Sequence, residues 1–277
     1  MSAELGAGGR PVGKTWSRSP VYGGRGMAAT AHPLASQVAL DILKEGGSAV
    51  DAAIAANAAL GLMEPTGNGI GGDIFVIVWD PKTRQLYGYN GSGRSPGGQS
   101  LDQLKARIAA MKARGELDED FEGIPSHGPL PVSVPGTVDG WFAIHERFGR
   151  LPMNQLLAPT IDYARSGFPV TPVISYSFSR SWDFFSRIYA DSPHLDNIRD
   201  TWFKGGEAVP PGGMFTNPDL GETLETIALE GRDAFYRGSL ARQMAAYFGD
   251  MEGGLAYEDL AEHQGEWVTP GSVNYRG

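Results

Sequence analysis

The chain has 277 residues, of which 41% are apolar and 20% charged, and this length allows one large domain or two smaller ones around a sizeable core. Its net charge of −9 argues against a nucleic-acid partner or an anionic membrane surface, because both bind clustered Lys and Arg. The lack of cysteine excludes disulfides, a thiolate metal site and a cysteine nucleophile.

The first 26 residues are rich in Gly, Arg and Ser, and they predict a polar N-terminal arm that needs partners to be ordered. They contain no apolar core of the kind that a secretory signal has, and no run in the chain is long enough to span a bilayer. The compartment is left open: cytoplasmic if the N-terminus is native, periplasmic or secreted if a signal has been removed.

The first predicted elements are a short strand at residues 27–30 and a helix in HPLASQVALDILKEGG, with Pro33 in its first turn. Ser48 and Asp51 have the spacing of a capping box and open a second helix, AVDAAIAANAALGLM. This helix is apolar around most of its surface, which predicts burial on several sides.

The apolar run DIFVIVWD (residues 73–80) predicts a strand covered on both faces. The segment QLYGYN (residues 85–90) follows a predicted turn and is interpreted as its antiparallel hairpin partner. Ser100 and Gln103 predict the cap of a helix over residues 101–114.

Residues 115–131 are acidic and then rich in Pro and Gly, which predicts a surface loop. The segment PVSVPGTVDGWFAIHERFG predicts a short strand, a turn and a helix that Gly149 ends. Further helices are predicted at residues 153–157, 160–166, 219–229 and 239–248. The sum is a sheet covered on both faces by helices, in a mixed α/β or α+β class.

The glycines in TGNGIGG (residues 66–72) match G-x-G-x-x-G, but a dinucleotide loop needs a strand before the glycines and a helix after them. Here a helix enters the glycines and a strand leaves them. We therefore reject a dehydrogenase and interpret these glycines as residues that let backbone pack closely.

The segment GRSPG (residues 93–97) matches G-x-S-x-G, the nucleophile elbow of α/β-hydrolases. The oxyanion hole of that elbow uses the backbone N–H of the residue after the serine, and Pro96 has none. Ser95 is therefore not predicted to be a nucleophile.

Histidine is the remaining candidate for metal ligation. The five histidines show no two-ligand spacing, so each is interpreted as a surface or capping residue and no metal site is predicted. They are His32, His127, His145, His194 and His263.

Long ordered stretches resemble the large subunit of the γ-glutamyltransferase (γ-glutamyl transpeptidase) family. They lie in residues 27–96, which include MEPTGNGIGGDIFVIVWD and YNGSGRSP, and in residues 132–170, which begin VSVPGTVDGWFAIHERFG. The later stretches EGRDAFYRG and LAYEDLAEH fit too, and the GSGRSP form is most similar to the cephalosporin acylase branch. The resemblance implies an α+β fold, the αββα sandwich of N-terminal nucleophile hydrolases. Residues 27–277 would form an incomplete large-subunit portion of one such domain.

The resemblance further implies a precursor that cleaves itself and frees a threonine at the start of a small subunit. That threonine attacks γ-glutamyl amides such as glutathione, and water or an amine then takes the acyl group, with no metal or organic cofactor. The implied partners are this small subunit and a small-molecule γ-glutamyl substrate, with no nucleic acid and no membrane. Because the nucleophile lies outside this chain, we assign no catalytic residue here and expect the chain alone to be inactive.

Arg94 stands where the family has an arginine that binds the α-carboxylate of the glutamyl group. The alternative to a substrate-binding role is that Arg94 is a loop arginine in a surface ion pair. Ser95 follows it, whereas glutathione-cleaving members commonly have an acidic residue there, so phenylacetyl, glutaryl and other γ-glutamyl-like amides stay open as substrates. Two other functions also stay open: a non-catalytic homologue that acts as a binding or assembly module, and an unrelated serine hydrolase that uses Ser95.

Overall fold

A computed structural model describes residues 21–190, 192, 194–203 and 205–277, so most of the predicted N-terminal arm, residues 1–20, lies outside the described residues. The helices are α1 (Pro33–Lys44), α2 (Ala49–Met63), α3 (Leu101–Ala113), α4 (Thr137–Phe148), α5 (Met153–Ser166), α6 (Pro172–Ile188), α7 (His194–Trp202), α8 (Pro218–Glu230), α9 (Arg232–Tyr236), α10 (Ser239–Asp250) and α11 (Tyr257–Ala261). The strands are β1 (Ile74–Asp80), β2 (Gln85–Gly91), β3 (Phe168–Pro169), β4 (Met214–Phe215) and β5 (Glu266–Val268).

The chain divides into two compact units. The first runs up to Gly69 and includes Phe148–Ala228, and the second comprises Ile70–Arg147 and Leu229–Gly277. That residues 27–277 belong to one domain stays a prediction. None of the helices in the described ranges combines the length and the apolar character needed to cross a membrane.

The first unit is built around α2, whose predicted capping box and extensive burial are confirmed. The Ser48 hydroxyl accepts from the Asp51 N–H at 3.1 Å, and the Asp51 carboxylate accepts from the Ser48 N–H at 2.7 Å. Asp51 is fully buried and also accepts the N–H of Arg150 at 3.0 Å, so one carboxylate fixes both the start of α2 and the chain that leads into α5.

Two helical features of the first unit differ from the sequence predictions. The helices expected at residues 153–157 and 160–166 are one helix, α5, with Pro159 inside it. Proline removes one backbone hydrogen bond there, but the buried Leu156, Leu157 and Thr160 hold the helix on both sides of it. Neither the aromatic-rich α6 nor α7 was predicted; Phe178 of α6 packs against Phe215 with ring centroids 5.7 Å apart.

The second unit contains an antiparallel sheet in the order β1-β2-β5, which confirms the predicted hairpin. The turn of the hairpin is held by Asp80, whose carboxylate accepts from the Lys82 N–H and the Thr83 hydroxyl, both at 2.9 Å. The predicted helix α3 with its Ser100–Gln103 capping box and the loop over residues 115–131 are also confirmed.

The prediction that β1 is covered on both faces is wrong for this chain. Phe75, Ile77 and Trp79 are 69%, 70% and 55% exposed, and only the alternate side chains are covered. The covered face lies under α4, where a Cβ on Gly140 would overlap the side chain of Ile74. A sheet with helices on one face covers every second residue of a strand, and in β1 half-buried and exposed residues alternate accordingly.

The short strands predicted at residues 27–30 and in PVSV (residues 131–134) are also wrong. The first segment is irregular and is followed by a bend, where the Thr30 hydroxyl donates to the His32 carbonyl at 2.7 Å ahead of α1. In the second, the Val134 N–H donates to the Arg94 carbonyl at 3.0 Å without forming a strand ladder.

Candidate functional site

Three segments of the second unit meet at one end of the β1–β2 hairpin: the glycine-rich loop before β1, the loop after β2, and the residues that lead into α4. The Gly72 carbonyl accepts from the N–H groups of Gly136 and Thr137 at 2.9 and 3.0 Å, and it also accepts the Thr137 hydroxyl at 2.9 Å. These bonds fix the glycine loop against the start of α4. The predicted order of helix, glycines and strand is confirmed, with α2 ahead of the loop and β1 after it.

Close backbone approach occurs here as well as at the glycine loop, where the sequence indicated it. A Cβ on Gly93 would overlap the Val134 carbonyl oxygen, and one on Gly136 would overlap the Gly91 carbonyl oxygen. A Cβ on Gly69 or Gly71 would meet no atom within 4 Å. A Cβ on Gly61 in α2 would lie 3.3 Å from the Gly69 Cα, so helix α2 and the glycine loop do approach closely at Gly69. The interpretation that the glycines of TGNGIGG serve close packing finds no support at Gly71.

Arg94 lies in the loop after β2, and its side chain is exposed. Its carbonyl is bonded to Val134, whereas its guanidinium forms no ion pair or hydrogen bond with any residue that the structure describes. The neighbouring Ser95 is exposed and Pro96 is buried. An exposed, unpaired guanidinium on a bonded backbone can receive an anionic group without first breaking an internal ion pair.

The loop that carries Arg94 is held on both sides by carboxylates. On one side the Gly93 N–H donates to Asp73 Oδ1 at 2.9 Å, and on the other the Gly97 N–H donates to Asp259 Oδ1 at 2.7 Å. The ring of Pro96 between them is buried.

A buried polar network centred on Asp139 lies at the start of α4. The Asp139 carboxylate accepts from the Tyr89 hydroxyl at 2.6 Å, from Arg232 Nε at 2.5 Å and from the Gly265 N–H at 2.8 Å. Arg232 also donates to the His263 carbonyl. Strand β2, helix α9 and the segment before β5 are thus joined to α4 through a single side chain.

Protonation follows from these contacts. Burial raises the pKa of Asp139, but hydrogen bonds from Tyr89, Gly265 and Arg232 outweigh it and hold the pKa below its usual value. Burial, followed by the bond to the Asp139 carboxylate, raises the pKa of Tyr89. The network is therefore ionised at Asp139 and neutral at its tyrosines near neutral pH.

Tyr236 connects this network to the segment that supports the Arg94 loop. Its hydroxyl accepts the Asp139 N–H at 3.0 Å and donates to the Pro135 carbonyl at 2.7 Å. Pro135 adjoins Val134, the residue bonded to the Arg94 carbonyl. The network is thus connected to the Arg94 loop through Pro135 and Val134.

The histidines take varied structural positions. His32 is buried at the N-cap of α1, where Nδ1 accepts the Leu34 N–H at 3.2 Å, and His263 is buried with its ring stacked on Tyr236 at 5.3 Å. Burial lowers the pKa of both. The other three lie in the 115–131 loop (His127), in α4 (His145) and at the start of α7 (His194). No group of three or more His, Asp or Glu side chains in the described part of the chain is arranged to hold a metal ion.

Sequence reasoning predicted a role for Arg94, which stays a prediction, and it did not single out Asp73, Asp139 or Asp259. A weak signal existed for Asp139, a charged residue in the apolar stretch VSVPGTVDGWFAI, since a buried charge implies partners. No comparable signal marked Asp73 and Asp259, because the Gly93 and Gly97 N–H groups that they bind are distant in sequence.

Comparison with known proteins agrees with this α+β architecture. Residues 35–277 match the family model described as Gamma-glutamyltranspeptidase. The chain is 35% identical over 257 residues to the Glutathione hydrolase-like YwrD proenzyme of Bacillus subtilis (strain 168), a match that covers 93% of this chain and 45% of that relative.

Two solved structures are similar throughout. The cephalosporin acylase from Bacillus halodurans is 37% identical with a TM-score of 0.82, covering 96% of this chain and 48% of that one. The Helicobacter pylori gamma-glutamyltranspeptidase is 26% identical with a TM-score of 0.81, covering 94% of this chain and 70% of that one.

The fold is thus that of the N-terminal nucleophile hydrolases, and the predicted α+β class is confirmed. The chain belongs to the gamma-glutamyltranspeptidase family, and it corresponds to the large-subunit region. It spans less than half the length of the Bacillus subtilis relative.

Proposed function

We propose that this chain is the large-subunit part of a self-processing γ-glutamyltransferase or γ-glutamyl amide hydrolase, and that Arg94 binds the α-carboxylate of the substrate. The observation that carries the proposal is the exposed Arg94 guanidinium, which has no partner among the described residues although its loop is bonded on both sides. Membership of the family over residues 35–277 supports the reaction class.

The chemistry of Arg94 suits this role. A guanidinium presents a planar set of donors that pairs with a carboxylate through two parallel hydrogen bonds, which a lysine ammonium does not reproduce. The backbone of the loop is already fixed, so less conformational freedom is lost when a ligand binds.

The bond-breaking step belongs to a threonine outside this chain. Its hydroxyl attacks the γ-glutamyl carbonyl, an ester forms, and the amine leaves with the proton that the α-amine of the threonine has accepted. Water or a second amine then cleaves the ester and takes the γ-glutamyl group. Ser95 is a poor alternative nucleophile because Pro96 offers no N–H to an oxyanion.

The proposed partner is the small subunit, and the exposed face of the sheet supports it. Phe75, Ile77, Trp79 and Leu86 share one face of the hairpin, and each is more than half exposed. An apolar patch of large side chains is characteristic of a surface that another chain covers. We propose that the small subunit covers this face.

The substrate class remains broader than glutathione. One relative is named Glutathione hydrolase-like and one similar structure is that of a cephalosporin acylase. Ser95 stands where an acidic residue is expected beside the arginine in glutathione-cleaving members. We therefore propose γ-glutamyl amides, including glutathione, together with related acyl amides that carry a carboxylate within reach of Arg94.

Arg94→Lys in the complete, processed protein tests the proposal. We expect KM for γ-glutamyl-p-nitroanilide to rise about tenfold or more, because a lysine loses the bidentate contact, while kcat changes less. Arg84→Lys is the matched control, since Arg84 is also an exposed loop arginine without an ion pair to the described residues.

An unchanged KM in Arg94→Lys would remove the carboxylate-binding role. Electrophoresis of the full-length product gives the second readout, because self-processing yields two unequal subunits. A product that stays in one piece and cleaves no γ-glutamyl amide would favour a non-catalytic binding or assembly module instead.

A further inference from the structure

The loop between Ser92 and Gly97 carries Arg94 and is clamped at both ends by a carboxylate. We infer that Asp73 and Asp259 are positioning residues, which hold this loop so that the Arg94 guanidinium is presented to the substrate carboxylate. The inference rests on the proposed function of Arg94 and adds two residues to which no role has been assigned.

The Asp73 side of the clamp comes from the glycine loop before β1. Asp73 Oδ1 accepts the Gly93 N–H at 2.9 Å, and Oδ2 accepts the Ser92 hydroxyl at 3.4 Å. The backbone of Asp73 is itself held, because its carbonyl accepts the Thr137 hydroxyl at 3.1 Å at the start of α4. This carboxylate therefore links the Arg94 loop to a helix end that is already fixed.

The Asp259 side comes from helix α11, far along the chain. Asp259 Oδ1 accepts the Gly97 N–H at 2.7 Å, while Oδ2 accepts the Ala256 N–H at 2.8 Å. Because one oxygen is bonded within its own helix start, the other has a defined direction. Leu260, the next residue, is fully buried and anchors the helix.

Neither carboxylate forms an ion pair with Arg94, since the guanidinium is unpaired among the described residues. The two acids thus use their charge on backbone N–H groups, and such charge-assisted hydrogen bonds are short and strong. An acid that paired with Arg94 directly would compete with a substrate carboxylate. An acid bonded to the flanking backbone restricts the loop and leaves the cation available.

Gly93 removes further freedom from the same loop. Its Cα lies so close to the Val134 carbonyl that a Cβ would overlap that oxygen, so the backbone cannot shift in that direction. Contact with Val134 on one side and the two carboxylates at the ends restrict the backbone of the loop, while the Arg94 side chain is exposed. Preorganisation of this kind raises affinity by reducing the ordering cost of binding.

The test uses the complete, processed protein and two substrates that differ in one group. These are γ-glutamyl-p-nitroanilide and 4-aminobutyryl-p-nitroanilide, which lacks the α-carboxylate. We expect Asp73→Ala and Asp259→Ala each to reduce the preference in kcat/KM for the carboxylate-bearing substrate about tenfold, mainly through KM. The Asn variants keep an acceptor oxygen and should restore most of that preference.

Asp80→Ala is the matched control. Asp80 is an aspartate of the same sheet that also accepts a backbone N–H and a hydroxyl, but it lies at the opposite end of the seven-residue strand β1. Asp80→Ala should leave the preference in kcat/KM for the carboxylate-bearing substrate unchanged. In an Arg94→Ala background, Asp73→Ala should cause no further loss of preference, because the two residues act through one contact.

The outcomes separate the two proposals. If Arg94→Ala leaves the preference intact, the proposed role of Arg94 fails. If Arg94→Ala abolishes the preference while Asp73→Ala and Asp259→Ala retain it, only the clamp fails. Amide hydrogen exchange on the unsubstituted protein decides the case if an alanine variant does not mature: slow exchange at Gly93 and Gly97 without ligand supports the clamp, and free exchange overturns it.

Discussion

At the scale of single residues, Gly93 and Gly136 determine how closely three loops approach. Gly93→Ala should lower the free energy of unfolding of the complete protein by about 3 kcal/mol, because the new Cβ would overlap the Val134 carbonyl and force backbone to move. Gly71→Ala is the control, since its Cβ would meet no atom within 4 Å and its φ is not positive. Urea unfolding measures both variants, and equal midpoints would contradict the close approach.

The residue scale also shows what sequence can identify. Arg94 was predicted because a resemblance pointed to it and because arginine has a distinctive chemistry with carboxylates, and its role stays a prediction. Asp73 and Asp259 were missed because an aspartate that bonds a backbone N–H of a distant loop leaves no local pattern: 162 residues separate Asp259 from Gly97. Their function depends on the folded arrangement alone.

At the scale of elements, helices were predictable where caps and burial act locally. Ser48 with Asp51 and Ser100 with Gln103 give the starts of α2 and α3 correctly, because both partners of each cap lie within one turn. Strands were harder to predict. The segment PVSV has the composition of a strand, but it lies beside the Arg94 loop without a ladder partner, and strand formation requires that partner.

The elements of the second unit depend on Asp139, and this gives a prediction at their scale. Asp139→Ala should destabilise the complete protein by about 3–5 kcal/mol, because it leaves the Nε of the partly buried Arg232, the Tyr89 hydroxyl and the Gly265 N–H without their acceptor. The side chain of Asp139 is only 5% exposed. Thermal or urea unfolding would measure the change.

Asp233→Ala is the control for that experiment, because Asp233 pairs with the same arginine. Its contact with Arg232 is longer, at 3.4 Å, and its side chain is 62% exposed. A solvent-exposed pair of this kind contributes about 1 kcal/mol or less. Equal losses of unfolding free energy in the two variants would show that the buried network stabilises the protein no more than the exposed ion pair does.

At the scale of the whole molecule, the apolar run of β1 led to the prediction of a strand covered on both faces, which is wrong for this chain. Every position from Ile74 to Trp79 is apolar, as expected of a strand covered on both faces, yet Phe75 and Ile77 are largely exposed in this chain. The sequence pattern is consistent with the burial that we propose for the assembled protein. A strand face that becomes buried only on assembly is apolar in sequence although it is exposed in the single chain.

Stability against pH is a property to which both units contribute. His32 in the first unit and His263 in the second are buried, and burial lowers the pKa of each below the ordinary 6.5. The unfolded chain therefore binds protons at these residues more readily than the folded chain. It follows that their contribution to stability is complete above pH 6.5 and declines as the pH falls through the lowered values.

Replacing both histidines should flatten this dependence. His32→Asn keeps an acceptor at the N-cap of α1, and His263→Phe keeps a ring against Tyr236, but neither side chain titrates in this range. Between about pH 7.5 and about pH 5.5, the melting temperature of the unsubstituted protein should fall more than that of the double variant. Asp139 does not contribute in that window, because its pKa in both states lies at or below 3.8. His127→Gln, at an exposed position, is the control and should leave the fall in melting temperature unchanged. Identical pH profiles for the double variant and the unsubstituted protein would show that the two buried imidazoles do not cause the fall.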